Sequence, residues 1–207
     1  MRVSQTDVAL FLAPRAPLPE SDRRHLAPAV AQTVDVKLTE VRIEQRCERC
    51  CGDHGQPRVL LPPSTFVSLS RAADTVAISV SLAGPIGVDI ESVSAVGRAR
   101  FDDVAFNAVE REALRAVPAH ELDRVRAGLW TSKEAVLKLS GEGLTVDPRK
   151  LTVAWSEAGA FILLSWPGAT LNLAQVQLTS FDAGPGLVGT VAALVPQTPR
   201  IVRRLLT

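Results

Sequence analysis

The chain has 207 residues, 46% of them hydrophobic and 22% charged, a balance that permits a sizeable buried core and excludes an intrinsically disordered chain. Its 23 lysines and arginines meet 22 aspartates and glutamates, for a net charge of +1, so no global field draws it to nucleic acid or to an anionic membrane; only a local basic cluster stays open. No apolar run approaches the roughly 20 residues of a bilayer-spanning helix.

In chain order, Val8-Ala9-Leu10-Phe11-Leu12 follows Asp7 and runs into Pro14, Pro17 and Pro19. That is too short for a signal peptide and reads as a first strand of a cytoplasmic protein. Residues 18–35 predict a short or broken helix interrupted at Pro28, because proline removes a helix hydrogen bond. A further short element is expected at 38–43. Cys47, Cys50 and Cys51, with His54 nearby, are all the thiols of the chain. An odd number in one cluster argues against a disulfide framework. The pattern could offer up to four soft ligands to zinc, although four ligands within eight residues would strain a loop; reduced thiols are the other reading.

Residues 59–61, 66–70 and 76–80 alternate or run apolar as strands, Gly84-Pro85 makes a turn, and 86–91 is the next strand of what reads as a meander. Around 94–100 the apolar pattern weakens, which suggests a linker dividing the chain into 1–97 and 98–207. A helical stretch is expected at 104–116, ending near Pro118, and a longer helix from about Glu121, with Val125, Leu129 and Val136 on its buried side. Gly141 and Gly143 end it. The remainder reads as strands at 151–155, 161–166, 174–181 and 187–194, with turns at Gly159 and 182–186. The sum is an α+β protein.

Two stretches carry chemistry. In Gly87-Val88-Asp89-Ile90-Glu91, Asp89 and Glu91 are two apart, so both point to one face of a strand about 6 to 7 Å apart and repel unless a cation lies between them. Mg²⁺ suits such hard oxygens; a solvent-facing acidic edge is the alternative. In the long helix, Trp130, Glu134 and Lys138 recur at four-residue spacing and share a face. Read alone, Glu134 and Lys138 are a surface pair that stabilises a helix by roughly 0.2 to 0.5 kcal/mol.

Together the stretches resemble the 4′-phosphopantetheinyl transferase superfamily, in its longer monomeric branch. That family carries a Gly-x-Asp-x-Glu strand, then an acidic helix, then Trp-x-x-Lys-Glu-Ala-x-x-Lys-x-x-Gly-x-Gly. Here Gly87, Asp89 and Glu91 match the first, Glu110 the second, and Trp130, Lys133, Glu134, Ala135, Lys138, Gly141 and Gly143 the third. The resemblance implies two pseudo-symmetric α/β halves with the site in the cleft between them. It implies a monomer, because such a cleft needs no second subunit. It also implies transfer of the 4′-phosphopantetheine arm of coenzyme A to a serine of an apo acyl- or peptidyl-carrier protein, releasing 3′,5′-ADP. Such carriers serve polyketide, nonribosomal peptide or fatty-acid synthesis.

The resemblance makes Asp89, Glu91 and Glu134 the Mg²⁺ ligands. Lys138 would neutralise charge on the diphosphate, Lys133 would reach a neighbouring phosphate, and Glu110, Glu134 or a metal-bound water would serve as base. Trp130 fits better as a packing residue than as a substrate contact. Departures are clear. Ser70-Arg71-Ala72 stands where the family commonly has Ser-His-Ser, so Ser70 and Arg71 become the coenzyme A contacts. Gln56 replaces the lysine of a Gly-Lys-Pro loop that also brings His54. For the 3′-phosphate, Arg24, Lys37, Arg42 and Arg58 are the candidates. These departures keep two alternatives in view: a member that binds carrier protein or coenzyme A without catalysis, or a small zinc-binding interaction module.

Overall fold

The computed structural model describes residues 7–16, 19–46, 52, 55–156 and 158–206. Cys47, Cys50, Cys51 and His54 lie outside the described residues, and the zinc reading with them. The strands are β1 (Val8–Pro14), β2 (Arg42–Glu44), β3 (Arg58–Leu61), β4 (Phe66–Ala72), β5 (Thr75–Ser81), β6 (Ile86–Ser92), β7 (Thr152–Trp155), β8 (Phe161–Ser165), β9 (Val176–Phe181), β10 (Leu187–Leu194) and β11 (Ile201–Arg204). The helices are α1 (Leu26–Val34), α2 (Val93–Arg98), α3 (Asp102–Ala105), α4 (Ala108–Arg115) and α5 (Ala119–Ser140). None of the described helices is long and apolar enough to cross a membrane.

Two sheets frame this α+β molecule. The first has the order β11-β1-β5-β4, the second β6-β10-β9. The expected meander stops at β5, because β1 and β4 already flank that strand on both sides. With no free edge beside β5, β6 crosses to the second sheet and pairs antiparallel with β10. Pairing therefore runs across the division at 97/98, and β11 returns from the chain's end to lie parallel to β1. β11 was not expected as a strand; its four residues Ile201-Val202-Arg203-Arg204 lack an alternating pattern. The expected linker at 94–100 is largely the helix α2, capped by Ser92 Oγ, which accepts from Ala95 N–H at 3.3 Å.

Strand periodicity sorts the core. Along β1, Ala9 and Phe11 face α1, while Val8 and Leu10 face the second sheet. Along β6, Ile86, Val88 and Ile90 meet those residues between the sheets. Period-two geometry then turns Gly87, Asp89 and Glu91 the other way, toward α5, which packs across β6 and β10. The acidic edge is thus covered by a helix instead of facing solvent. Gly87 is what lets the helix in: a Cβ there would lie 1.9 Å from the carbonyl oxygen of Ala135. α5 ends where the sequence placed its stop, with Gly141 at φ 79° donating its N–H to the Lys138 carbonyl at 3.2 Å.

The predicted helix at 104–116 is two helices, α3 and α4. Asn107 breaks it by capping α4: its side chain accepts from Glu110 N–H at 3.1 Å, and Glu110 Oε2 accepts from Asn107 N–H at 2.9 Å, a reciprocal capping box.

Candidate active site

A cavity of 1260 Å³ opens between β4 of the first sheet and the β6–α5 layer of the second. Its walls carry Asp89, Glu91, Glu134 and Lys138, and also Arg23, Arg46, Arg58 and Arg71. The volume exceeds the roughly 300–1,000 Å³ typical of a site for one compact ligand, and the mixed charge suits a long polyanion met by both cations and carboxylates.

Asp89 is almost fully buried. Its Oδ1 accepts from Ser70 Oγ and from Lys138 Nζ, both at 2.7 Å, while its Oδ2 is buried with no donor. Ser70 Oγ also accepts from Ile90 N–H at 3.3 Å, and Ser68 Oγ from Val88 N–H at 3.0 Å. Serine hydroxyls thus satisfy the backbone of β6 on the side facing β4, so Ser70 holds Asp89 in place. The alternation of Ser68 and Ser70 on a strand was the signal for this, and it is visible only once β4 is known to lie against β6.

Glu134 Oε1 is likewise buried without a partner. Burial first, then the neighbouring Asp89 and Glu91 charges, push the Glu134 carboxyl up to about 7 against the opposing pull of Lys138. Burial and the Asp89 charge push Glu91 up to about 7 as well, with Lys138 and a hydrogen bond from the Trp130 side chain opposing. Trp130 packs edge-on against Phe101, centroids 5.1 Å apart, so the packing role expected for it is joined by a place in the cavity wall.

Three mutually repelling carboxyls, two of them with an orphaned buried oxygen, share one lysine. Hard oxygens short of positive charge are the donor chemistry a divalent cation takes. Among the described residues, however, no group of three His, Cys, Asp or Glu side chains already stands arranged to hold a metal ion. The set fits the cation in chemistry and in unsatisfied atoms.

Glu110 and Lys133 are not brought to this cavity. Both are fully buried and paired with each other. Lys133 Nζ further donates to the carbonyls of Ala105 at 2.8 Å and Pro148 at 3.1 Å, and Glu110 Oε1 accepts from Val153 N–H at 2.9 Å. Burial lowers the Lys133 ammonium while Glu110 opposes. The pair pins α4, α5 and the start of β7 together, and both side chains stand away from the cavity in which Glu110 was expected as base and Lys133 as phosphate contact. Sequence spacing puts Lys133 beside Glu134, but neighbours on a helix point about 100° apart, so only one of them can face the cavity.

Of the basic candidates, Arg58 and Arg71 line the cavity, whereas Arg24, Lys37 and Arg42 do not. Arg23 and Arg46 line it instead. Gln56 donates from Nε2 to the Lys138 carbonyl at 2.8 Å, tying its loop to the end of α5.

Residues 85–191, more than half of the chain, match the family model of the 4′-phosphopantetheinyl transferase superfamily. The chain is 34% identical over 106 residues to the 4′-phosphopantetheinyl transferase psf-1 of Bacillus pumilus, which covers 51% of this chain and 45% of that protein. The chain thus spans about half the length of the curated relative it matches. Among solved structures, similarity extends to a holo-(acyl-carrier-protein) synthase of Bacillus anthracis in complex with CoA (3′,5′-ADP), at 19% identity and a TM-score of 0.44, covering 55% of this chain and 96% of that one. A holo-[acyl-carrier-protein] synthase of Neisseria meningitidis is similar at 20% identity and a TM-score of 0.44, covering 53% and 96% respectively. By the match to the family model, over the segment that holds Asp89, Glu91, Glu134 and Lys138, this chain belongs to the 4′-phosphopantetheinyl transferase superfamily.

Proposed function

We propose that the protein transfers the 4′-phosphopantetheine arm of coenzyme A to the hydroxyl of a serine in an apo acyl- or peptidyl-carrier protein, releasing 3′,5′-ADP. The observation that carries this reading is the meeting, in one cavity, of the unsatisfied Asp89 and Glu134 oxygens with Lys138. Membership of the superfamily supports it. The protein acts as a monomer on this reading, since both walls of the cavity come from one chain; the same reading puts it in the cytoplasm.

Asp89, Glu91 and Glu134 are the residues that would hold Mg²⁺. Bound there, the ion would supply charge neutralisation to the diphosphate. The chain's own groups do the rest. Lys138, freed from Asp89, offers its ammonium to the oxygens on which negative charge grows as the diphosphate splits. The carrier serine oxygen bonds to the β-phosphorus, the bond from that phosphorus to the bridging oxygen breaks, and the pair of electrons leaves with 3′,5′-ADP. With Glu110 committed to Lys133, Glu134 is the remaining carboxylate among the base candidates to accept the serine proton. Positioning and charge, more than covalent chemistry, lower the barrier of such a step.

The test is incubation with coenzyme A, Mg²⁺ and an apo carrier protein, read by intact mass of the carrier. A gain of one phosphopantetheine arm, abolished by a chelator, is expected. Binding of coenzyme A with no mass gain would replace this reading by that of a non-catalytic binder.

A further inference from the structure

The arginine side of the cavity is organised by a carboxylate that does not line it. Asp22, in the 3₁₀ turn Pro19–His25, is fully buried. Its Oδ1 accepts from Ala16 N–H at 2.6 Å. Its Oδ2 lies 3.3 Å from Nε of Arg71 and 3.9 Å from Nε of Arg15, as ion pairs not aligned for a hydrogen bond. Arg71 and Arg23 both line the cavity, and the Arg23 Nε is buried without a partner.

Successive residues of a strand leave it on opposite faces. On β4, Ser70 turns to Asp89 and its neighbour Arg71 turns to Asp22. A guanidinium is a rigid plane, with Nε on one side and the two terminal nitrogens reaching beyond it. An ion pair made through Nε leaves the terminal nitrogens to take two oxygens of an anion in parallel. A buried carboxylate is tolerated when cations compensate it, and here one Asp22 charge faces the guanidinia of both Arg15 and Arg71. The surplus is positive and borders the cavity.

We propose that Asp22 is a positioning residue, which sets the Arg71 guanidinium so that its terminal nitrogens grip a phosphomonoester of the bound co-substrate. The inference rests on the coenzyme A reading above, in which the diphosphate is met by Asp89, Glu91, Glu134 and Lys138. The group left for Arg71 is then the phosphate on the ribose. Asp22 touches no ligand and acts only through Arg71.

Calorimetric titration with 3′,5′-ADP and with 5′-AMP, which lacks the ribose phosphate, tests this on the full chain. The unaltered protein should prefer 3′,5′-ADP by at least about tenfold, the return on one charge-assisted bidentate contact. Asp22→Asn keeps the shape and the acceptor for Ala16 N–H but removes the charge. It should bring the preference close to one while leaving 5′-AMP binding unchanged, as should Arg71→Gln; adding Asp22→Asn to Arg71→Gln should change nothing further.

If Asp22→Asn fails to fold, Arg71→Lys decides: a single ammonium cannot serve Asp22 and the anion together, so the preference should fall equally. A preference unchanged in folded Asp22→Asn or in Arg71→Lys, or absent from the unaltered protein, overturns the proposal. Carrier loading measured alongside keeps the two readings apart. An unaltered protein that loads the carrier but shows no preference between the two nucleotides sinks only the Asp22 proposal, and intact preference without loading sinks only the transferase.

Discussion

The ammonium of Lys138 stands 2.7 Å from Oδ1 of Asp89 and 3.2 Å from the Val88 carbonyl, so one residue of the long helix reaches both backbone and side chain of the acidic strand. Lys138 lies against three crowded carboxyls, and the proposed reaction requires it to exchange Asp89 for phosphate.

Lys138→Met therefore removes a charge while keeping most of the stem that packs along the helix. Carrier loading at saturating coenzyme A is expected to fall about 10²- to 10³-fold, the usual loss for one preorganised group facing developing negative charge. A rate within a factor of three or so of that of the unaltered protein would place the charge-bearing contact on another residue.

The carboxyl cluster makes stability depend on pH in an unusual direction. Glu91 and Glu134 are raised from 4.5 to about 7 in the folded chain. Folding therefore favours their protonated forms, and that contribution is complete below about 4.5 and lost as pH rises through about 7. In the absence of divalent metal, the unfolding temperature should fall between pH 5 and pH 8. Mg²⁺ should restore it more at pH 8 than at pH 6, since the ion binds the deprotonated groups. Glu134→Gln should raise the metal-free unfolding temperature at pH 8, weaken the Mg²⁺ effect and abolish loading. Thermal scans at the two pH values check all three, and a metal-free protein equally stable at both would remove the cluster from the account.

Glu110 and Lys133 separate a structural role from a catalytic one. Both are buried, and each compensates the other, so Glu110→Ala or Lys133→Ala leaves a lone charge in the interior. Each should destabilise by about 3 to 5 kcal/mol. The double replacement by apolar residues of similar volume should recover much of that loss. Denaturant unfolding of the cycle checks it. Were Glu110 the base instead, Glu110→Gln would lose loading while unfolding as the unaltered protein does.

Much of this was legible beforehand, for reasons that can be named. Asp89 and Glu91 share a face because strand period is two, and Glu134 and Lys138 share one because helix period is near four; these local rules hold whatever the fold. The strands at 187–194 and 86–91 were readable for the same reason. What could not be read was partnership across the chain. That β5 would have both edges occupied, sending β6 to β10, depends on β1 arriving from residues 8–14. The burial of Lys133 depends on α3 and the turn at Pro148 closing over it. Asp22 reaches Arg71 across 49 positions by the same kind of long-range closure, which no periodicity announces.

Gly87 is the position on which the geometry of the site hangs most directly. A Cβ there would stand 1.9 Å from the Ala135 carbonyl oxygen and 2.7 Å from the Leu139 N. Both are helix backbone, which cannot rotate aside as a flexible side chain can. Gly87→Ala must push α5 off β6, and because Asp89 lies two residues on while Glu134 and Lys138 flank Ala135, the push separates the groups that meet in the cavity. A loss of more than about 4 kcal/mol is expected, in the range reserved for overpacked interiors. If the variant still folds, with the helix displaced, the 2.7 Å contact between Lys138 and Asp89 should be gone and Mg²⁺ should no longer raise the unfolding temperature. Gly143→Ala is the control, since a Cβ there meets nothing within 4 Å. It should cost only the strain of its φ of 54°, about 1 kcal/mol, and should leave the Mg²⁺ effect in place. Equal behaviour of the two glycine variants in thermal scans with and without Mg²⁺ would show that the closeness of helix and strand does not govern the site.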